Sequence, residues 1–162
     1  MLDDDRFLPE FYGYFFSRIE SKLYLNILIE KGEIDLFTVV ASINIQNKLR
    51  YVAASGIIIL EYLRERYVMH RDIKAENFII DREGYLKIID LGLASLNTGC
   101  EAEFLGTPGL FAPEIILNRI HGYEVDIWSF GIMLYDITFG AMPFSTNNDV
   151  KYNKKIANPD VK

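Results

Sequence analysis

Residues 70–92, which read HRDIKAENFIIDREGYLKIIDLG, constrain the fold of this chain more than any other stretch. Two apolar runs, residues 78–80 and 86–89, flank the polar residues 81–84, and the last of these is a glycine. Strand-forming residues on both sides of a short polar turn predict a β-hairpin. The chain is therefore expected to fold back on itself within this stretch.

Four polar side chains surround the predicted hairpin. Asp72, Lys74 and Asn77 precede its first strand, and Asp90 follows its second strand. Because the two ends of a hairpin lie side by side, we expect Asp90 to return close to Asn77. Hard Mg²⁺ takes oxygen ligands and keeps several waters, so a carboxylate, an amide and phosphate oxygens suffice to hold it. The stretch predicts a site for a metal-bound phosphate.

Three further motifs follow in a fixed order. H-R-D-x-K-x-x-N and D-x-G are succeeded by G-T-P at residues 106–108, A-P-E at 112–114 and D-I-W-S-F-G at 126–131. The set resembles the signature of the protein kinase family. Each motif alone could be an ordinary turn, but chance does not account for all of them in this order.

The resemblance implies an α+β fold of the protein-kinase type. It consists of a partial small-lobe β-sheet of two strands and an incomplete, mainly α-helical large lobe. Residues 1–37 would be the remnant of the small lobe and the hinge, and residues 38–162 the incomplete large lobe. The resemblance covers nearly the whole chain but only the middle of a kinase domain. We therefore expect a chain truncated at both ends, without the glycine-rich loop and the ATP-binding lysine.

The activity implied by the resemblance is ATP-dependent phosphoryl transfer to serine or threonine of a protein substrate, with ATP and Mg²⁺ as cofactors. Asp72 is the expected catalytic base, and Lys74 is expected to neutralise charge on the transferred phosphoryl group. Asn77 and Asp90 are expected to hold Mg²⁺ and, with Lys74, to contact the nucleotide. Lys74, two positions after Asp72, and Thr107 in G-T-P both resemble the serine/threonine pattern.

The resemblance also suggests where adenine binds. Glu30 and Gly32 lie in a stretch that resembles the hinge, with Ile29 at the gatekeeper position, and Ile79 is expected to contact the nucleotide. Taken by itself, an apolar strand that ends in Lys-Gly is also no more than a strand and a turn.

Three residues are expected to regulate the site, and one is expected to recognise the protein substrate. Arg71 would pair with an anion on the activation segment, which carries Glu103 and Thr107. Glu103 occupies the position of a threonine that is commonly phosphorylated in AGC kinases, and its charge would order the segment in part. Glu76 resembles the acidic residue with which basophilic kinases recognise an arginine. Glu76 and Glu103 could equally be solvated glutamates.

The sequence around the motifs indicates a subfamily. The runs ENFIIDREGYLK and APEIILN resemble the cyclic-nucleotide-dependent branch of the AGC kinases, although calcium-dependent kinases read similarly. A regulatory domain or cyclic-nucleotide-linked regulation is thus an expected partner beside the protein substrate. Leu91 replaces the phenylalanine usual in D-F-G, and a branched apolar side chain can still pack there.

A second class of function stays open, a catalytically inactive interaction module or pseudokinase fragment derived from a kinase. The retained catalytic-loop residues favour the enzyme. The missing glycine-rich loop leads us to expect that the 162-residue chain alone binds Mg-ATP poorly.

Composition narrows the partners and the compartment. A net charge of −6 argues against nucleic acid or anionic lipid as the main partner. Cys100 is the one cysteine, which excludes an intramolecular disulfide and suits a reducing compartment. The acidic N-terminus is unlike a secretory signal, and the strongest apolar helix is too short to span a bilayer. We expect a cytoplasmic protein without a membrane span.

Periodicity predicts the other elements. Residues 7–16 and 23–30 read as strands joined by a turn at 17–22. A helix begins near Asn47 and carries an apolar stripe at a 3.6-residue period. Its predicted core-facing residues are Leu49, Val52, Ala53, Gly56, Leu60 and Leu63. The predicted activation loop covers 93–111.

The last predicted elements are a buried central helix and a tail. Residues 125–139 are apolar nearly all round, and Gly140 ends the helix. Asp126 would accept hydrogen bonds from the backbone of the catalytic loop. His70 is expected to be a packed scaffold residue and His121 a solvated loop residue. Residues 145–162 read as polar and at best weakly helical.

Overall fold

The computed structural model describes residues 5–42, 48–96 and 103–144. Predictions for the tail at 145–162 and for Cys100 fall outside these ranges. In chain order the strands and helices are β1 (Phe11–Ile19), β2 (Lys22–Ile29), β3 (Ile34–Asp35), α1 (Leu36–Ser42), α2 (Leu49–Glu65), β4 (Val68–Met69), β5 (Phe78–Ile80), β6 (Leu86–Ile88), β7 (Ser95–Leu96), α3 (Pro113–Ile116) and α4 (Glu124–Phe139). The fold is α+β, as predicted.

Strands β1 and β2 form the predicted two-stranded antiparallel sheet, but their predicted bounds are wrong. The connecting loop is only Glu20 and Ser21, with φ angles of 48° and 69°. A two-residue hairpin loop matches the strand twist when both residues have positive φ, and this short loop lets β1 continue to Ile19. Both strands leave apolar side chains exposed, including Tyr14 and Leu23 at 65% each.

The residues before β1 lie against helix α2. Phe7 ends a 3₁₀ turn, and its ring centroid lies 5.2 Å from that of Tyr62 in an edge-on arrangement. Leu8 packs against the same core. Edge-to-face contact adds to the burial of an aromatic ring. Phe7 and Leu8, predicted as part of a strand, therefore anchor the start of the chain on the core.

Strands β5 and β6 form the hairpin predicted within residues 70–92. Ile79 pairs with Lys87 across the two strands, and Gly84 N donates to Asp81 O at 3.1 Å to close the turn. β3 joins the outer edge of β5, which gives a three-stranded sheet of order β3-β5-β6. We call β5–β6 the site hairpin, since Asn77 precedes it and Asp90 follows it. Helix α1, which periodicity did not predict, starts directly after β3.

The main core lies between α2, α4 and the site hairpin. Its buried members include the predicted Val52, Gly56 and Leu63, together with Ile59 and Tyr62 from α2 and Phe130, Met133 and Ile137 from α4. The Phe130 ring lies 6.1 Å from that of Phe78 on β5. The two helices thereby fix the hairpin from one side.

Helix α4 was predicted to be buried all round, and this is wrong for one side. Val125 and Phe130 are buried, whereas Ile127 is 56% and Phe139 66% exposed. Within the described ranges, no helix is both long enough and apolar enough to cross a membrane.

The packing of α2 on α4 gives a stability prediction. A Cβ at Gly56 would overlap the Phe130 ring, so Gly56→Ala must displace a core side chain. We expect it to lower the free energy of unfolding by ~1–3 kcal/mol. Gly131→Ala on α4 is the control, because nothing lies within 4 Å of its Cβ. The control should gain ~0.5–1 kcal/mol of helix propensity. Urea unfolding measures both, and equal effects would contradict the prediction.

Candidate active site

The catalytic loop is held by a carboxylate from helix α4. Asp126 Oδ2 accepts the backbone N–H of His70 at 2.7 Å, and its Oδ1 accepts that of Arg71 at 2.8 Å. His70 is fully buried, and its Nε2 lies 3.0 Å from the carbonyl oxygen of Ile89. Asp126 and His70 thus tie the loop to α4 and to the site hairpin, as expected for scaffold residues.

The side chain of Asp72 is the centre of a polar cluster. Its Oδ2 accepts from Lys74 Nζ at 2.6 Å and from Asn77 Nδ2 at 3.2 Å, and its Oδ1 accepts from Thr107 Oγ1 at 2.5 Å. Asp72 itself is 8% exposed. The structure therefore brings the predicted base, lysine, amide and threonine together, although Thr107 lies 35 residues along the chain.

The hydrogen bonds of the cluster shift the pKa values of Asp72 and Lys74. Burial alone would raise the pKa of Asp72, but hydrogen bonds from Lys74, Thr107 and Asn77 outweigh it and hold the pKa below the usual range. The hydrogen bond to Asp72 raises the pKa of Lys74, with smaller support from the charges of Glu76 and Asp90. Asp72 is therefore an anion and Lys74 a cation at neutral pH.

Asn77 and Asp90 lie at the open end of the site hairpin. Ile89 N donates to Asn77 O at 2.8 Å, which places Asp90 one residue beyond a direct backbone contact. Asn77 Nδ2 is committed to the carbonyl and carboxylate oxygens of Asp72, so its amide oxygen is the atom it can offer to a cation. Asp90 is exposed and holds a left-handed φ of 63°. One amide and one carboxylate oxygen fit Mg²⁺.

Arg71 links the catalytic loop to the activation segment. Its Nη1 lies 2.8 Å from Glu103 Oε2, and its Nε donates to Leu93 O at 2.6 Å. The Arg71 side chain is 10% exposed and that of Glu103 61%. The backbone of Arg71 has φ 66°, and a Cβ at Gly106 would lie 2.7 Å from its carbonyl oxygen. The predicted pair between Arg71 and Glu103 is present.

The predicted adenine residues lie on one face of the site hairpin. Ile79 is 7% exposed, and a Cβ at Gly32 would lie 2.7 Å from its Cδ1, so only glycine fits there. The Glu30 carboxylate is engaged by Lys87 Nζ at 2.7 Å. Ile29 is the last residue of β2. The structure places Glu30 and Gly32 over this face and does not place them in the Asp72 cluster.

The prediction for His121 is wrong, and Lys87 was not predicted to have a role. His121 was expected to be solvated, but it is 4% exposed, and its Nδ1 lies 2.9 Å from Arg119 O. Lys87 was assigned no role, yet it lies between Glu30 and Asp81. The signal that could have indicated Lys87 is a charged residue inside a strand that is otherwise apolar. Glu76 is exposed, beside the cluster.

Comparison with known proteins accounts for these motifs. The family model described as "Protein kinase domain" matches residues 10–161. The cGMP-dependent protein kinase of Plasmodium berghei (strain Anka) is 36% identical over 78% of this chain and 15% of its own length. The cAMP-dependent protein kinase type 3 of Saccharomyces cerevisiae is 34% identical over 70% of this chain and 28% of its own length.

A third relative, the human cGMP-dependent protein kinase 2, is 46% identical over 52% of this chain and 11% of its own length. The chain thus spans less than a third of the length of each of these relatives. The names of all three describe protein kinases that depend on cGMP or cAMP. With the family model matching almost every residue, this chain belongs to the protein kinase family, which is a family of enzymes.

Proposed function

We propose that this chain is the catalytic core of a protein serine/threonine kinase that transfers the γ-phosphate of ATP to a protein hydroxyl. The observation that carries the proposal is the Asp72 carboxylate held by Lys74 and Thr107 beside Asn77 and Asp90. Family membership supports phosphoryl transfer to protein substrates. The choice of serine or threonine rests on Lys74, Thr107 and the relatives.

The residues have distinct tasks in this proposal. Asp72 accepts the proton of the attacking hydroxyl, and general-base catalysis contributes ~10²–10⁴-fold. Lys74 stabilises the charge that spreads over the transferred phosphoryl oxygens. Thr107 orients Asp72 through its short hydrogen bond. Asn77 and Asp90 hold Mg²⁺, which when bound neutralises the phosphate charge.

The nucleotide and substrate contacts extend the proposal. The backbone near Glu30 and Gly32 binds adenine, and Ile79, which Gly32 covers in this structure, supports that backbone from the hairpin side. Residues 1–37 belong to the small lobe and hinge, and 38–162 to the large lobe. Glu76, exposed beside Lys74, recognises a basic residue of the substrate.

The relatives and the composition support proposals for the partners and the location. The names of the relatives include cGMP and cAMP dependence, and we propose that a cyclic-nucleotide-binding regulatory domain controls this chain. The single cysteine suits a reducing compartment, which favours a cytoplasmic location. The net charge of −6 disfavours nucleic acid as a partner.

A second candidate, a non-catalytic interaction module, is favoured by one observation. The β1–β2 hairpin exposes large apolar side chains on both faces, among them Phe11, Phe16 and Ile27 at about 60% each. Exposed apolar patches of this kind mark interaction sites. Such a module would bind partners without phosphoryl transfer, so one assay separates the two candidates.

The test is transfer of radiolabelled γ-phosphate to serine, threonine and tyrosine peptides. We would assay residues 1–162 and a fused kinase, in which this chain is flanked by the kinase-domain segments of the human cGMP-dependent protein kinase 2. The fused kinase should label serine and threonine peptides in the presence of Mg²⁺, whereas residues 1–162 alone should not. A folded fused kinase that labels no peptide would favour the interaction module.

The pair between Arg71 and Glu103 gives a regulatory prediction. Glu103 supplies a permanent negative charge, and a pair that is open to solvent on the Glu103 side contributes up to ~1 kcal/mol. Glu103→Gln in the fused kinase should therefore lower kcat about two- to fivefold at low salt. The difference should shrink as salt screens the pair. Unchanged kinetics at low salt would reduce Glu103 to a solvated surface residue.

A further inference from the structure

The segment that leaves β2 crosses one face of the site hairpin. Ile79 and Lys87 are paired across β5 and β6, so their side chains share that face. Gly32 lies on Ile79, and Glu30 lies on Lys87. The segment at residues 30–33, called the linker below, is therefore seated on the same hairpin that carries Asn77 and Asp90 at its open end.

Lys87 is the cation at the centre of this contact. Its Nζ lies 2.7 Å from Glu30 Oε2 and 3.4 Å from Asp81 Oδ2, and its side chain is only 12% exposed. Glu30 Oε2 also accepts the backbone N–H of Glu10 at 3.1 Å, and Glu30 N donates to Glu10 O at 2.8 Å. One ammonium group thus joins the hairpin turn, the linker and the residue before β1.

Charge makes this contact sensitive to the loss of the cation. The side chains of Glu30 and Asp81 are 24% and 9% exposed, and both aim at Lys87 Nζ. Without Lys87, the two carboxylates face each other at the wall of a cavity with no cation between them. A partly buried charge that loses its partner is far more costly than a pair that was never formed. Repulsion would push the linker away from the hairpin.

At its far end the linker runs into β3, which pairs with β5, so movement of the linker is resisted there and is easiest at the end that carries Glu30. A cavity of about 1100 Å³ lies between the segment before β1 and the hairpin turn, and Lys87 lines it. Further along the linker, Glu33 N donates to Ile80 O at 3.0 Å, and the Glu33 side chain pairs with Arg82 at 2.6 Å. Arg82 is 84% exposed, so that pair is weak. Lys87 is the anchor nearest to the end of β2, whereas the start of β1 is held separately through Phe7 on α2.

We propose that Lys87 is a positioning residue that seats the linker, and with it the β1–β2 sheet, on the site hairpin. The consequence for catalysis rests on the proposed function. Only a kinase needs an adenine-binding linker at a fixed position relative to Asn77 and Asp90. The seating itself is a property of the folded chain and can be measured without catalysis.

Amide hydrogen exchange on residues 1–162 tests the seating. In Lys87→Gln, the amides of Glu10, Glu30 and Glu33 should exchange about tenfold faster or more, because a local contact opens while the core stays closed. The Ile79 δ1 methyl resonance should shift as Gly32 leaves it. Lys87→Arg should restore slow exchange, and Lys87→Gln combined with Glu30→Gln should recover part of it, since the repulsion is gone.

Arg82→Gln is the matched control, because it breaks a second ion pair between the same two segments. It should change exchange at the three amides by less than about twofold, as exposed pairs contribute little. In the fused kinase, Lys87→Gln should raise KM for ATP several-fold and leave kcat nearly constant, a split that simple loss of folded protein does not produce.

Three results would overturn the proposal. The first is unchanged exchange in Lys87→Gln, and the second is an equal rise in Arg82→Gln. The third is faster exchange with an unchanged KM for ATP, which would leave Lys87 a role in stability only. A fused kinase with no activity at all would contradict the proposed function instead, and the exchange experiment on residues 1–162 would still decide whether Lys87 seats the linker.

Discussion

Asp72→Asn in the fused kinase is expected to lower kcat by ~10²–10⁴-fold and to leave KM for ATP nearly unchanged. Asn keeps the size of the side chain but cannot accept the proton of the attacking hydroxyl. It also loses the charge that Lys74 faces at 2.6 Å. In this proposal Asp72 contacts the hydroxyl substrate, and ATP binding does not depend on Asp72. The substitution should therefore lower kcat and not affect KM for ATP.

The pH dependence of the unchanged enzyme provides an independent check. Burial opposes ionisation of Asp72, but the hydrogen bonds from Lys74, Thr107 and Asn77 prevail and keep its pKa below the ordinary value. A base with a lowered pKa stays ionised until the pH falls below about 4, the ordinary value of an aspartate. Activity limited by Asp72 should therefore persist through mildly acidic pH. An acidic limb near neutrality would assign the base to another group.

The control for Asp72 is Glu83→Gln, an exposed carboxylate in the turn of the site hairpin. It changes the net charge by the same amount and should leave kcat within about twofold, as surface substitutions usually do. If Asp72→Asn retained most of the turnover, Asp72 would be a structural partner of Lys74 and Thr107. If both variants lost activity equally, the effect would be one of net charge.

The site could be predicted from sequence to the extent that it is local. Asp72, Lys74 and Asn77 lie within one short stretch, and the hairpin that follows has only one way to bring Asp90 back. The pairing of β5 with β6 and the backbone bond from Ile89 to Asn77 follow from that geometry. Short-range motifs therefore predict positions well, because few backbone paths connect their ends.

Contacts between distant segments could be predicted only from the family resemblance. The roles of Thr107 and Asp126 near the catalytic loop follow from no periodicity in the sequence. Their hydrogen bonds cross 35 and 56 residues of chain. Lys87 shows the limit of both approaches, because a charge inside an apolar strand marks it as unusual but does not identify Glu30 as its partner.

The predicted element boundaries are wrong where a single side chain or a proline decides the local structure and the apolar pattern does not. Helix α1 was missed, although Asp35 accepts both the backbone N–H and the hydroxyl of Thr38 at 2.7 Å each, an N-terminal cap that Asp at this position allows. The predicted start of β1 at residue 7 ignored Pro9, which has no backbone N–H to donate to a ladder. His121 was predicted to be solvated because of its position in a loop, but its side chain is buried.

The largest expected effect on stability comes from Asp126→Ala. Asp126 is 4% exposed, and its two carboxylate oxygens accept the N–H groups of His70 and Arg71. Alanine leaves both donors without a partner in a buried place. Each unsatisfied buried donor costs ~1–3 kcal/mol. We expect the free energy of unfolding to fall by ~3–5 kcal/mol, which is a large share of the stability of a typical domain.

The charge of Asp126 is not what makes it stabilising. Burial raises the pKa of this carboxyl, although the backbone hydrogen bonds from His70 and Arg71 and the charge of Arg71 oppose the rise. A carboxyl with a raised pKa in the folded chain binds its proton more readily when folded. Its ionised form therefore costs stability above the unfolded pKa, and that cost fades as the pH falls. What the fold needs is the pair of acceptor atoms.

Asp126→Asn tests this distinction. Its amide oxygen can accept from one of the two donors, but its NH₂ group would face the other, so the loss should approach that of alanine although the buried charge is gone. Glu124→Gln is the matched control. It removes a carboxylate from the same first turn of α4, where Glu124 Oε1 accepts the N–H of Gly122 at 2.8 Å in an exposed place.

Urea unfolding of residues 1–162 measures all three variants. The control should lose less than about 1 kcal/mol, the range for an exposed charge near a helix N-terminus. Arg71 has a left-handed φ of 66°, which a non-glycine residue keeps only when its surroundings enforce it. The His70 and Arg71 amides should therefore lose their exchange protection first in Asp126→Asn. If that variant were as stable as the parent, the catalytic loop would be held by contacts other than the Asp126 carboxylate.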